Sequence, residues 1–163
     1  MSEGQTTMRQ VRERQINSMR LTCEILGHIL RNLSNEDARA LRDGPDGWSI
    51  VEIVCRLRDF DEIFQARALM MLKQEGAQLP AYDHEAMVVE RGYQSESLSD
   101  AYDALASSRH RFAAFFESLT SAQWARAGLH PERGPFSMTD ALMQVCAHDL
   151  DHLEQITRVL RNA

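Results

Sequence analysis

Apolar positions recur along this chain at three- and four-residue steps, the signature of helices that each bury one face. Met19, Cys23, Leu26, Leu30 and Leu33 form the first stripe and predict a helix from about Met8 to Asn32. Ile53, Leu57, Phe60, Phe64, Arg67 and Met71 trace a second, on a helix from about Ser49 to Lys73. Ala101, Leu105, Phe112 and Phe116 predict a third from about Leu98 to Leu119. A final stripe of Ala141, Val145, His148, His152, Ile156 and Val159 belongs to a helix opening at Ser137-Met138-Thr139-Asp140. No stretch shows the strict alternation of a half-buried strand or hairpin.

The breaks between stripes are equally regular. Ser34-Asn35-Glu36-Asp37 has the form of a capping box, Gly44-Pro45 interrupts the chain, and Ser49 with Glu52 forms a second box, Trp48 and Ile53 being placed as a hydrophobic staple across it. Thr120-Ser121-Ala122-Gln123, Gly134-Pro135 and Phe136-Ser137 with Asp140 repeat that order in the second half. Between the halves, Glu75 to Glu96 carries Gly76, Pro80 and Gly92 without periodicity and reads as a long crossing connection. Two tandem units of helix, short turn and helix, pairing their apolar faces, make an all-α four-helix bundle in one domain over residues 1–163.

Composition narrows the role of this bundle. The chain has 163 residues, enough for a real core, with 44% hydrophobic and 26% charged residues. A net charge of -6 without a basic cluster argues against nucleic acid or an acidic membrane as partner. The polar N-terminal stretch has no apolar segment of a secretion signal, and no apolar run is long enough to span a bilayer, so a cytoplasmic location is expected. Cys23, Cys55 and Cys146 are scattered and odd in number, which fits reduced thiols better than disulfides or a Cys-based zinc site.

The candidate chemistry lies in Ala147-His148-Asp149-Leu150-Asp151-His152-Leu153. On a helix, histidines four residues apart project from one face and can offer two nitrogens to one metal ion. These two sit where core residues are expected, so they are coordinated, hydrogen-bonded or lining a wet cavity. A buried polar group left unsatisfied costs about 1–3 kcal/mol. The structural alternative is that they bond internal water or backbone. His130 could approach a pocket mouth, and Tyr82 and Tyr93 could cover it or plug the core beneath their loop. His84 and His110 lie among charged residues and are expected in solvent, and the methionines, Met70-Met71 included, in core or dimer contacts. No phosphate-binding Gly loop, Ser-His-Asp order or nucleophilic Cys motif is present.

Taken in order, Gly47-Trp48-Ser49-Ile50-Val51-Glu52-Ile53-Val54-Cys55 with Leu57-Arg58-Asp59, Pro80-Ala81-Tyr82-Asp83, Glu90-Arg91-Gly92-Tyr93, Leu129-His130-Pro131-Glu132-Arg133-Gly134-Pro135 and the His148/His152 motif resemble the DinB-like superfamily, in particular its DinB and YfiT-type metalloenzymes. The resemblance runs from about Ser34 to the C-terminus. It implies an up-down-down-up bundle with long cross-connections, frequent homodimerisation, and a divalent metal, nickel or zinc, on three histidines. It also implies a transferase-, isomerase- or hydrolase-like activity, in several members with a low-molecular-weight thiol.

Carried over residue by residue, the family's last two histidines match His148 and His152, whereas the first, on the second long helix, is replaced by Arg56. A guanidinium has no lone pair to donate and stays protonated, so Arg56 cannot ligate a metal. Glu52, Cys55, Asp59 and His28 are conceivable third donors. Arg56 also shares a stripe with Phe60, Ile63 and Arg67, so two guanidinium forks could face the histidine pocket and hold a carboxylate or phosphate. Alternatively, Arg56 pairs with Asp149, Asp151 or an acid on its own helix. Two functions follow. One is a DinB-like metal-dependent, thiol-dependent transferase or hydrolase-like enzyme with an incomplete three-histidine site. The other is a metal-free descendant that binds a small anionic molecule or serves as a dimeric structural or stress protein.

Overall fold

The structure, a computed structural model, describes residues 3–163, with side chains from Thr7 onward except that of His84. The solvent position expected of the His84 side chain lies outside these described residues. In chain order the elements are α1 (Glu3–Leu30), α2 (Asn35–Ala40), α3 (Ile50–Lys73), β1 (Ala77–Gln78), α4 (His84–Glu90), a 3-10 turn (Tyr93–Ser95), α5 (Leu98–Ser118), α6 (Ser121–Trp124), β2 (Ala127–His130), β3 (Gly134–Ser137) and α7 (Met138–Arg161). The helix starts follow local chemistry. The Glu52 carboxylate accepts the Ser49 backbone N–H at 2.7 Å, and Asp140 does the same for Ser137 at 2.8 Å. Gln123 closes a third box on Thr120 at 2.9 Å.

The four long helices are ordered by the pairs they form. Arg12 bonds Thr139 at 3.0 Å and Thr22 bonds Asp149 at 2.8 Å, so α1 and α7 run parallel. Arg20 meets Glu117 at 2.7 Å and Tyr102 donates to the Cys23 carbonyl at 3.1 Å, so α5 runs against α1. Two apolar clusters complete the arrangement. One joins Phe60 to Met71 of α3 with Phe112 and Phe116 of α5 and Met138 to Cys146 of α7. The other joins Ile50 to Leu57 with Leu98 to Leu105, Ile156 and Val159. Hence α3 parallels α5 and opposes α7, which is the up-down-down-up order.

A polar belt lies in the bundle, drawing on all four long helices. Arg109 donates through Nε to Asp61 at 2.9 Å and through both terminal nitrogens to Asp149, while Thr22 bonds Asp149 and Ser108 bonds Asp61 at 2.5 Å. Arg109, Asp61 and Asp149 are all buried.

Two expectations are corrected. The chain does form strands: β1 pairs in parallel with β2, and β2 turns through Pro131–Arg133 to pair antiparallel with β3. Strands of two to four residues are too short to display an alternating pattern. The connection from Glu75 to Glu96 is not structureless either, since Asp83 caps α4 by accepting from the backbone of Glu85 and Ala86. Among the described residues no helix is long and apolar enough to cross a membrane.

Candidate functional site

Helices α3 and α7 meet along the face that the histidines occupy. His148, half-buried, stacks on Phe60 with ring centroids 5.0 Å apart and meets Phe64 edge-on at 5.4 Å. His152 lies one turn further on, its ring perpendicular to that of His148 at 4.5 Å. The Nδ1 of His152 contacts the Gln155 side-chain oxygen at 2.8 Å, and the Gln155 amide nitrogen donates to Asp43 at 2.9 Å. Because a carboxylate only accepts, Asp43 fixes the Gln155 amide with its oxygen toward the imidazole. Nδ1 then carries the proton and Nε2 the lone pair. Burial holds the His152 imidazole below its ordinary pKa, and the nearby Arg56 cation acts in the same direction.

Arg56 is stacked rather than paired. Its guanidinium carbon lies 4.2 Å from the centroid of Trp48 and 4.8 Å from that of Phe60. Its buried Nε and Nη1 find no hydrogen-bond acceptor. The expected alternative, an ion pair with Asp149, Asp151 or an acid of its own helix, is not formed among the described residues. Asp149 is held by Arg109, Glu52 by Ser49 and Arg42, and Asp59 by Arg58, Arg91 and the Tyr93 hydroxyl. Asp151 lines the same cleft, exposed to solvent.

That cleft, of about 190 Å³, runs from Arg56 past Phe60 and Phe64 to Arg67 and is walled opposite by His148 and His130. Arg67 is 4% exposed, donates from Nη2 to the Pro80 carbonyl at 2.7 Å and lies 5.4 Å from the Tyr82 ring, leaving its buried Nε without an acceptor. His130, 6% exposed, accepts the Glu132 backbone N–H at Nδ1, at 3.3 Å, which places its neutral-state proton on Nε2. That Nε2 is also buried and unpartnered. Desolvation keeps His130 below its ordinary pKa, reinforced by Arg67 and Arg133. The residues that line the cleft therefore include three whose buried N–H groups lack acceptors. A larger hollow of about 440 Å³ near Leu30, Asn35, Tyr102 and Asp103 holds neither a histidine nor an orphaned donor.

The residues do not fit a three-histidine metal centre. His148 and His152 are adjacent, but the third wall is the Arg56 guanidinium. Each conceivable substitute is engaged elsewhere. His28 is exposed on α1 beside Arg31, Cys55 lies in the core with its thiol pushed up to about 12, and Glu52 and Asp59 have the partners named above. Among the described residues no group of three His, Cys, Asp or Glu side chains could hold a metal ion.

Of the remaining sequence candidates, Arg67, Tyr82 and His130 do reach the cleft. Tyr93 does not: it is 1% exposed, and its hydroxyl donates to Asp59 at 2.6 Å, which makes it a core plug rather than a rim residue. His110 is exposed. Cys23, Cys55 and Cys146 are free and buried, burial being the main reason their thiols are pushed up to about 11, 12 and 12. Sequence reasoning missed Trp48 as the platform for Arg56 and the Asp43–Gln155 chain behind His152. The three-residue step from His152 to Gln155 was the only local signal for the latter.

Known proteins extend this picture. No curated protein matches the sequence. Among solved structures, YfiT from Bacillus subtilis, described as "a probable metal-dependent hydrolase with an unusual four-helix bundle topology", aligns with TM-score 0.86 at 20% identity, covering 99% of this chain and 89% of that one. A mycothiol-dependent maleylpyruvate isomerase aligns with TM-score 0.71 at 10% identity, covering 86% of this chain and 58% of that one. At these identities the likeness is one of fold. The DinB superfamily profile matches residues 20–156, most of the sequence, and the chain belongs to that superfamily.

Proposed function

We propose that this chain binds a small anionic molecule in the cleft between α3 and α7, using Arg56, Arg67 and His130 as donors, without a resident metal. The observation behind this reading is the set of buried N–H groups, Arg56 Nε and Nη1, Arg67 Nε and His130 Nε2, that meet no acceptor in the protein. Leaving buried donors unpaired costs about 1–3 kcal/mol each, more for charged groups, so a carboxylate or phosphate that reached them would gain what the protein's own groups do not supply. Stacking of Arg56 between Trp48 and Phe60 fixes its plane and limits the entropy lost on binding.

A second reading, a metal-dependent hydrolase-like enzyme, has its own support. YfiT is described in those terms, and the Asp43–Gln155–His152 chain resembles the outer-shell bonding that orients a ligating imidazole. It requires a third donor that the described residues do not provide.

One experiment separates the two. Protein purified without an affinity tag is assayed for bound metal and titrated calorimetrically with short-chain carboxylates and inorganic phosphate. The expected result is far less than one metal per chain, together with anion binding that weakens about 10- to 150-fold in Arg56→Gln, the equivalent of a charge-assisted hydrogen bond worth about 1.5–3 kcal/mol. Near-stoichiometric nickel or zinc without anion binding would overturn the proposal in favour of the second reading.

A further inference from the structure

Along one face of α3 stand Arg56, Phe60, Phe64 and Arg67, in the order cation, ring, ring, cation. The two arginines are eleven positions apart, so their Cα atoms are about 16.5 Å apart along the axis at 1.5 Å per residue. One carboxylate or phosphate cannot bridge both guanidinium groups across two aromatic rings. Yet both arginines line the same cleft, and each stands at one end of it with donors that meet no acceptor.

The two poles are built alike from different elements. At one, Arg56 offers Nε and Nη1 beside the imidazoles of α7. At the other, Arg67 offers Nε and β2 supplies the Nε2–H of His130, both side chains being more than nine-tenths buried. Between them Phe60 and Phe64 line the cleft, His148 stacks on the first and meets the second edge-on, and Arg133 and Gln144 complete the lining. Glu132 and Asp151 sit at the exposed edge of the cleft, and the Glu132 charge partly offsets the lowering of the Arg67 pKa by burial. A volume of about 190 Å³ lies below the range of about 300–1,000 Å³ typical of drug-sized ligands, which favours a small one.

The geometry points to a ligand carrying an anionic group at each end of a short apolar body, of the α,ω-dicarboxylate type, with one group on Arg56 and the other on Arg67 and His130. This rests on the anion-binding reading above and adds to it the number of charges, their placement and the apolar spacer.

The test is a calorimetric series on the full chain with succinate, glutarate, adipate, pimelate and azelate, each matched against the monocarboxylate of equal length. An optimum at one intermediate length, at least tenfold tighter than its monocarboxylate, is expected. Arg56→Gln and His130→Phe should each bring that ratio to about one while the melting transition stays cooperative. His130→Phe attacks the far pole without altering α3, so it stands in for Arg67→Gln should that variant fail to fold. Monocarboxylates binding as tightly as the dicarboxylates, or an affinity flat with chain length, would overturn the two-pole assignment while leaving anion binding intact. No binding by either series would overturn both.

Discussion

Arg109→Met tests the polar belt that crosses all four long helices. Arg109 is 3% exposed, is the shared cation for Asp61 and Asp149, and has no substitute within the belt. Methionine keeps much of the side-chain length but leaves two carboxylates buried without a positive partner. Removing one member of such a buried cluster costs about 3–5 kcal/mol, a large share of the about 5–15 kcal/mol that a domain of this kind possesses. For 163 residues the unfolding entropy is about 0.34 kcal/mol/K. The melting temperature should therefore fall by about 9–15 °C, measured by circular dichroism with urea titration as a second axis. The pH dependence has a definite sign. Burial already holds the Asp61 carboxyl above the usual aspartate value, and Arg109 is the main influence pulling it down. Without Arg109 it rises further, and a raised folded-state pKa favours the fold below the unfolded value of 3.8 and loses that contribution as pH rises through the folded value. The deficit of the variant should thus be greatest at neutral pH and shrink on acidification. A fall of less than about 3 °C, or a deficit that grows in acid, would refute the assignment of the belt as a coupled charge cluster. Replacing Arg109, Asp61 and Asp149 together by apolar residues should recover most of the loss, because an apolar cluster of equal volume is as stable as the ionic one or more so.

Two further outcomes follow from local geometry. A Cβ on Gly47 would stand 1.8 Å from the backbone oxygen of Asp43, so Gly47→Ala should destabilise by about 1–3 kcal/mol and shift the fluorescence of the adjoining Trp48, and an unchanged urea midpoint would refute this. His130 has a folded-state pKa below its ordinary 6.5, so its stabilising contribution is complete above that value and is lost as pH falls through the lowered one. His130→Gln, uncharged throughout, should flatten part of the decline in melting temperature below pH 6.5, and an identical decline in both proteins would count against a buried neutral imidazole.

Features set by neighbouring residues were readable in advance. The boxes at Ser49, Thr120 and Ser137 involve side chains three residues apart, and a helix start declares itself locally. What the chain did not disclose depends on interhelical register. Asp149 stands beside His148 in sequence and looked available to Arg56, yet its partner is Arg109, forty residues away. Trp48 fits the sequence pattern of a staple, and only the approach of α3 to the preceding loop shows it stacked on a guanidinium. For Tyr93 the loop left lid and core plug equally open, and Asp59 draws its hydroxyl inward.

The cleft is walled by both tandem halves of the chain, Arg56 and Arg67 coming from the first and His130 and His148 from the second. A molecule lodged there acts as a clasp across a joint, and any opening of the halves must first release it. By mass action a ligand at a hundred times its Kd adds about 2.7 kcal/mol to the folded state. On the anion-binding proposal, the lifetime of this protein against heat and proteases should track the abundance of the proposed ligand, so a survey of which cell extracts raise its melting temperature would test for it.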